Sequence, residues 1–206
     1  MNERPGVGNQ GVLLVLSAPS GAGKTSISRE ILRMFPELRF SVSCTTRPPR
    51  PGEVDGKDYY FISPEEFRRR IAAGEFVEWV ENYGQFYGTA KKTLDAFLAK
   101  GGDLLLDIEP RGAKAIREQY PDAVFIFIMP PSIAELKSRL EKRGESAAAM
   151  ECRLRTSLDE IREALCYDYI IFNERLPEAV DRFRAIYLAE KSRRDRCADR
   201  VAAFFR

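Results

Sequence analysis

The stretch SAPSGAGKTS, residues 17–26, follows directly on the apolar run 12–16 and has the make-up of a phosphate-binding loop. In such loops consecutive backbone N–H groups surround an anion at a helix N-terminus. Gly21 and Gly23 permit close backbone approach, Lys24 is spaced to reach β- and γ-phosphates, and the Thr25 hydroxyl is placed to ligand Mg²⁺. The usual GxxxxGK(S/T) pattern has glycine where this chain has Ala18; a methyl group is tolerated there while φ stays negative. With Ala18, Pro19, Ser20 and Ala22 completing the loop, a nucleoside triphosphate is the expected occupant. A dinucleotide fingerprint is excluded because GxG is followed by Lys-Thr. The plainer reading is an ordinary strand–turn–helix joint.

A second stretch, SVSCTTRPPRPGE at 41–53, bears on what receives the phosphate. Pro48 and Pro49 bias the backbone to polyproline II, with three residues per turn, so Arg47 and Arg50 are expected on one side, able to clamp one phosphate. The alternative is a solvated, proline-stiffened loop. The chain has no histidine, which removes imidazole bases, histidine triads and histidine-held metals. A phosphomonoester acceptor needs none of these, since its second pKa is about 6 and its oxygen is already largely deprotonated at neutral pH. Phosphoryl transfer then rests on positioning and charge stabilisation, and a nucleoside monophosphate is the expected acceptor.

The elements that must position these residues follow from the wider pattern. The length, 206 residues, suits one domain with its own core. A formal charge of +2 gives no bulk basic excess, so neither nucleic acid nor a membrane surface is indicated, and any anion site must be built locally. The start has no apolar leader and no apolar run is long enough to span a bilayer, so a soluble, cytoplasmic chain is expected. Cys44, Cys152, Cys166 and Cys197 form no CxxC pair and read as reduced thiols filling core space. Apolar runs at 12–16, 104–106, 124–129 and 169–172, each followed by a helix-period segment, predict an α/β fold with a doubly wound parallel sheet. Between the first two lies a region rich in proline, glycine and aromatics, read as a small β-rich insert with Trp79 and its aromatic neighbours as core. The segment 142–152, with Arg143-Gly144 and an alanine-rich bend, reads as a helical lid. The basic stretch 190–206 reads as a solvated amphipathic helix.

Taken together, SAPSGAGKTS, SVSCTTRPPRPGEVDGKDYYF, GEFVEWVENYGQFYGT, LLLDIEPRGA and IFNERL resemble the guanylate kinase family over nearly the whole chain. The resemblance implies a P-loop NTPase-type core (10–43, 90–138 and 158–206), a GMP-binding insert (44–89) and a lid (139–157). It implies Mg²⁺-dependent conversion of GMP, and of dGMP, to GDP or dGDP with ATP as donor, with no obligate protein partner. Position by position, Ser43, Arg47, Arg50, Tyr59 and Tyr87 match phosphate ligands of the acceptor, and Glu78 and Thr89 match guanine ligands. A carboxylate suits the N1–H and N2–H₂ donors of guanine, and the Thr89 hydroxyl suits O6. Asp107 ends a strand where a carboxylate organises metal or substrate, and Glu109 stands where the family has an aspartate that touches the base, with Arg111 in place of the usual glutamine. Arg139, Arg143 and Arg153 match lid arginines that close on the transferring phosphate. The lid is one residue short, so Arg155 competes with Arg153 for the inward position, and Asn173 matches a residue near the adenine or serves as a turn cap. A ribose 1,5-bisphosphate phosphokinase would lack the guanine residues. A non-catalytic guanylate-kinase-like binding module would usually lack the working loop, and a GTPase switch would need an NKxD motif that is absent.

Overall fold

A computed structural model describes residues 11–82, 84–141 and 147–206, the side chains of 147–149 excepted. Five parallel strands make the main sheet: β1 (Leu13–Ser17), β2 (Leu38–Phe40), β7 (Asp103–Asp107), β8 (Val124–Met129) and β9 (Tyr169–Phe172), in the order β2-β7-β1-β8-β9. Four lie within a residue of the apolar runs that predict them. The fifth, β2, is three residues long with Arg39 and Phe40 exposed, so it carries no apolar run to announce it.

The three central strands, β7, β1 and β8, are apolar on both sides because helices cover both faces. Leu14 and Leu16 of β1 pack with Ile27 and Ile31 of α1 (Lys24–Met34) and Phe183 and Tyr187 of α7 (Leu176–Lys191). Leu13 and Val15 face the other way, onto Leu94 and Leu98 of α3 (Lys91–Leu98) and Ile116 of α4 (Pro110–Gln119). The two-residue period of the strand thus divides one run between two cores.

The insert is a mixed sheet in the order β4-β3-β6-β5, built from β3 (Cys44–Thr45), β4 (Tyr60–Phe61), β5 (Phe76–Asn82) and β6 (Gln85–Ala90). It is backed by α2 (Pro64–Ala72), which Ser63 caps through the Glu66 N–H at 3.1 Å and Pro64 starts. Phe67 of this helix is fully buried, stacked on Phe76 at 4.4 Å and Phe86 at 5.3 Å. Trp79 reaches only the margin of this cluster: its ring meets Phe86 edge-on at 6.1 Å, and it stays half-exposed. Of the four free cysteines only Cys44 is buried core; Cys152 and Cys166 are exposed, standing on helical surfaces with no layer above them.

Beyond β8 come α5 (Ile133–Glu141) and α6 (Ala147–Arg162), and the alanine run expected in a bend opens α6 as helix, in keeping with alanine's helix propensity. Because α6 is continuous to Arg162, the expected lid boundary at 157 falls in mid-helix. The basic tail forms α8 (Arg194–Ala202), which buries no residue, as its composition predicts. No helix of the described residues is long and apolar enough to cross a membrane.

One buried carboxylate ties the sheet to its last long helix. Asp103, at the start of β7, accepts the Val12 N–H at 2.8 Å, the Tyr187 hydroxyl at 2.5 Å and the Lys191 ammonium at 2.5 Å. Asp103→Ala leaves the first two buried without an acceptor, so we expect a loss of about 3 kcal/mol. Urea denaturation should show a lower midpoint with an unchanged slope.

Candidate active site

The loop after β1 is shaped by two glycines in the left-handed region, Gly21 at φ +91° and Gly23 at φ +96°. Gly23 is the N-cap of α1, so no side chain occupies the first N–H groups of that helix. The loop is instead held from its carbonyl side. Ala22 is fully buried, and its oxygen accepts the Asn173 amide at 2.7 Å and the Arg139 guanidinium at 3.5 Å. A Cβ at Gly23 would lie 2.3 Å from Asn173 Nδ2, so this position needs glycine for space as well as for φ. Asn173 is itself buried and its amide donates to the loop, a long-range contact that differs from a cap on its own turn.

Lys24 forms an ion pair with Asp107 at the end of β7 and donates to the Ile108 carbonyl at 3.1 Å. Thr25 stands exposed in the first turn of α1. These ends of β1 and β7 form the crevice where strand order reverses, the usual ligand position in an open α/β sheet.

Facing them across a hollow of about 260 Å³ is the insert, and Ser43, Tyr59, Glu78, Tyr87, Asp107 and Glu109 all line that hollow together with Lys24. Glu78 is 7% exposed and sits opposite Thr89 in the β5–β6 pairing. Thr89 donates to its Oε1 at 2.7 Å. Burial pushes the Glu78 carboxyl up to about 7, the Glu109 charge adds to the rise, and the Thr89 bond opposes it. Its other oxygen has room because α4 carries Gly112, where a Cβ would come within 2.8 Å of Glu78 Oε2.

The two arginines do not turn into one hollow. Arg47 is drawn to Glu53 at 2.8 Å, donates to the Pro48 carbonyl at 2.8 Å, and lies 5.4 Å from the centre of the Tyr59 ring. Glu53 also accepts the Arg50 N–H at 2.7 Å, and the Arg47 hydrogen bond holds its carboxyl below the usual range. The Arg50 side chain opens instead on a wider cleft of about 630 Å³. One carboxylate, Glu53, thus holds the guanidinium of one arginine and the backbone of the other.

The wider cleft is closed on its far side by α6, which presents Arg153, Ser157 and Glu160 at the i, i+4, i+7 spacing of one helix face. Arg155 is on the outer face, 79% exposed and paired with Glu151. Arg139 comes from α5, its Nε bonded to Glu135 at 2.8 Å. Arg143 lies outside the described residues. A more voluminous hollow, about 950 Å³, is lined by residues of α2 and α3 and by Gly74 and Glu75, and contains none of the candidate site residues.

Three contributors escape a reading of residue types. Glu53 is part of the RPPRPGE stretch, and its being the lone acid among those arginines is the signal that could have found it. Asn82 donates to Glu109 at 2.7 Å, a contact between insert and core that no local spacing announces. Glu160 stands seven residues after Arg153, a helical repeat. Burial, aided by Glu109, pushes its carboxyl up to about 7. Its Oε2 is buried with no hydrogen-bond partner among the described residues.

For Mg²⁺, the described residues contain no group of three or more metal-ligating side chains. What the crevice offers is one exposed hydroxyl, Thr25, and one carboxylate, Asp107. That donor set suits an ion that arrives with the phosphates of a nucleotide and keeps much of its water.

Known proteins are similar to this chain along most of its length. The guanylate kinase family model matches residues 10–190. The guanylate kinase of Syntrophus aciditrophicus is 54% identical over 192 residues, covering 93% of each chain, and that of Symbiobacterium thermophilum is 55% identical over 185 residues, covering 89% of this chain and 88% of its own. The crystal structure of guanylate kinase from Anaplasma phagocytophilum superposes with a TM-score of 0.76 at 39% identity, covering 91% of this chain and 90% of that one. With a glycine-shaped loop facing a buried carboxylate, and relatives this similar along nearly all its length, the chain belongs to the guanylate kinase family.

Proposed function

We propose that this chain phosphorylates GMP to GDP with ATP as donor by holding the guanine on Glu78 and the triphosphate on the loop before α1. The observation that carries this reading is Glu78, a buried carboxylate whose hydrogen bonding among the described residues comes from Thr89, on a hollow that also contains Lys24. Such a group is short of donors. Guanine N1–H and N2–H₂ are adjacent donors that meet it, and with those in place the Thr89 hydroxyl is free to turn its proton to O6. Adenine offers a lone pair at N1 and is repelled.

The acceptor phosphate needs no base, in keeping with a chain that has no histidine. Ser43, Tyr59 and Tyr87 supply hydroxyls at the hollow, and Arg47, held by Glu53, supplies charge from its rim. Arg50 approaches from the wider cleft. On the donor side the N–H groups of the loop from Ala18 to Thr25 wrap the phosphates, and Asn173 keeps the loop open for them. Lys24 exchanges Asp107 and the Ile108 carbonyl for the β- and γ-oxygens. Thr25 and Asp107 are the residues that would hold Mg²⁺, and the ion, when bound, neutralises charge on the phosphates. Segment 139–157 serves as the lid, bringing Arg139 and Arg153 over the transferring group, and 44–89 serves as the acceptor-binding unit.

Lys24→Met should abolish turnover while the dissociation constant for GMP stays within a few fold, since the ammonium is needed most as charge moves to the leaving oxygen. Calorimetry with weakened GMP binding and near-normal kcat would place Lys24 on the wrong substrate. For the lid, Arg153→Ala should lower kcat by about two orders of magnitude, the usual loss for a group that stabilises transition-state charge. Arg155→Ala, on the outer face, should leave kcat unchanged.

Glu78 makes two expectations. Glu78→Gln should cut kcat/KM for GMP steeply with little change in KM for ATP, and the unaltered protein should disfavour AMP by about 10⁴. The second concerns pH. Guanine binds the ionised carboxylate, whereas the empty hollow keeps the proton up to about pH 7. Affinity for GMP is therefore full above that pH and falls about tenfold per unit below it. Titration by calorimetry should show the bend near 7 in the unaltered protein and lose it in Glu78→Gln, leaving only the phosphate's own bend near 6.

A further inference from the structure

Asn82 ends β5 in the insert, and Glu109 stands between β7 and α4 in the core, yet their side chains meet at 2.7 Å, Asn82 Nδ2 donating to Glu109 Oε1. Both residues line the 260 Å³ hollow and the wider cleft, so the pair forms the partition between the two. A carboxylate accepts only donors, so the Asn82 amide can meet it in one orientation. That bond commits Oε1 and leaves Oε2 as the acceptor still available on Glu109.

Glu109 stands close enough to Glu78 for its charge to act on that carboxyl. Guanine has three hydrogens on this edge, one on N1 and two on N2. Glu78, with two oxygens, takes N1–H and one N2–H. The second N2–H is left pointing away from Glu78; of the two other carboxylates on the same hollow, Asp107 is taken up by Lys24, and Glu109 is the one left to meet it. Its side chain has one methylene more than the aspartate the resemblance places there, and so one more rotatable bond to fix. Asn82 fixes it.

We propose that Asn82 is a positioning residue for base selectivity: by fixing Glu109 it sets the preference for purine monophosphates with a 2-amino group over those without one. This rests on the guanine reading of Glu78. It also ties recognition of the base to the meeting of insert and core, because the donor comes from one and the acceptor from the other.

The test compares GMP with IMP, which keeps O6 and N1–H and lacks only the 2-amino group. In Asn82→Ala, KM for GMP should rise about tenfold, the scale of one hydrogen bond to a charged group. kcat, KM for ATP and all IMP constants should stay within about twofold, so that the GMP/IMP ratio of kcat/KM falls about tenfold. The paired change Asn82→Gln with Glu109→Asp moves one methylene across the contact and should restore the ratio. A role confined to holding the insert together would raise KM for GMP and IMP alike, leave the ratio unmoved and lower Tm, and that result would overturn the proposal. So would an unmoved ratio in Asn82→Ala at unchanged Tm. If Asn82→Ala does not fold, the paired variant decides: a ratio below one-fifth of the unaltered protein's refutes the proposal, and a restored ratio supports it. Failure of the underlying reading looks different, since AMP and GMP would then be used equally by the unaltered protein or Glu78→Gln would leave GMP kinetics intact.

Discussion

The loop that holds a triphosphate must keep most of its backbone N–H groups unused, and this one spends only the Ala22 N–H on itself, donated to the Pro19 carbonyl at 3.1 Å. Its shape is imposed from the opposite side of the peptide, through the Ala22 carbonyl. Asn173 reaches it from the end of β9, 151 residues further along the chain, and Arg139 reaches it from α5. The first loop is therefore fixed by the last strand, and it is in place only once the parallel sheet has closed. Lys24 depends on the same order, since its partners Asp107 and Ile108 arrive with β7. Everything else at the site is arranged about that edge of the sheet.

The acceptor side is built on a different constraint, a carboxylate kept from water. Glu78 would be an ordinary strand residue if its hollow were open. Its wall is Gly112, on a core helix, where any side chain would strike it. Glycine within a helix costs about 1 kcal/mol relative to alanine, so the helix gives up stability to make space for a residue of another unit.

What was legible in the sequence divides along this line. Long apolar runs announced four strands: β1, β7 and β8 because both faces of each are buried, and the edge strand β9 although its Ile170 and Phe172 are exposed, whereas β2, exposed at two of its three residues, left no trace. The phosphate loop was legible because its chemistry is local, all within nine residues. Glu78 and Thr89 could be named from the resemblance. Their mutual hydrogen bond and the displaced proton affinity could not, because the wall arrives with α4. Arg47 and Arg50 were sought as a pair, and a spacing rule has no means of seeing that Glu53 would take one of them. The choice between Arg153 and Arg155 needed the phase of α6, which a shortened loop of uncertain register obscures and the helix face decides. Trp79, expected as core, covers Phe86 at the edge of the cluster and remains half-exposed, a degree of burial that residue type alone does not give.

The absence of histidine has one more consequence. Among the described residues two groups, Glu78 and Glu160, are still pushed to exchange protons near neutrality, because burial and the charge of Glu109 make ionisation costly. A ligand that supplies donors to Glu78 expels the proton stored there. Near pH 7 the association of GMP is thus also an acid-releasing event. Its apparent heat should vary with the ionisation enthalpy of the buffer that takes up the released proton, and the slope of that dependence counts the fraction of molecules that held it.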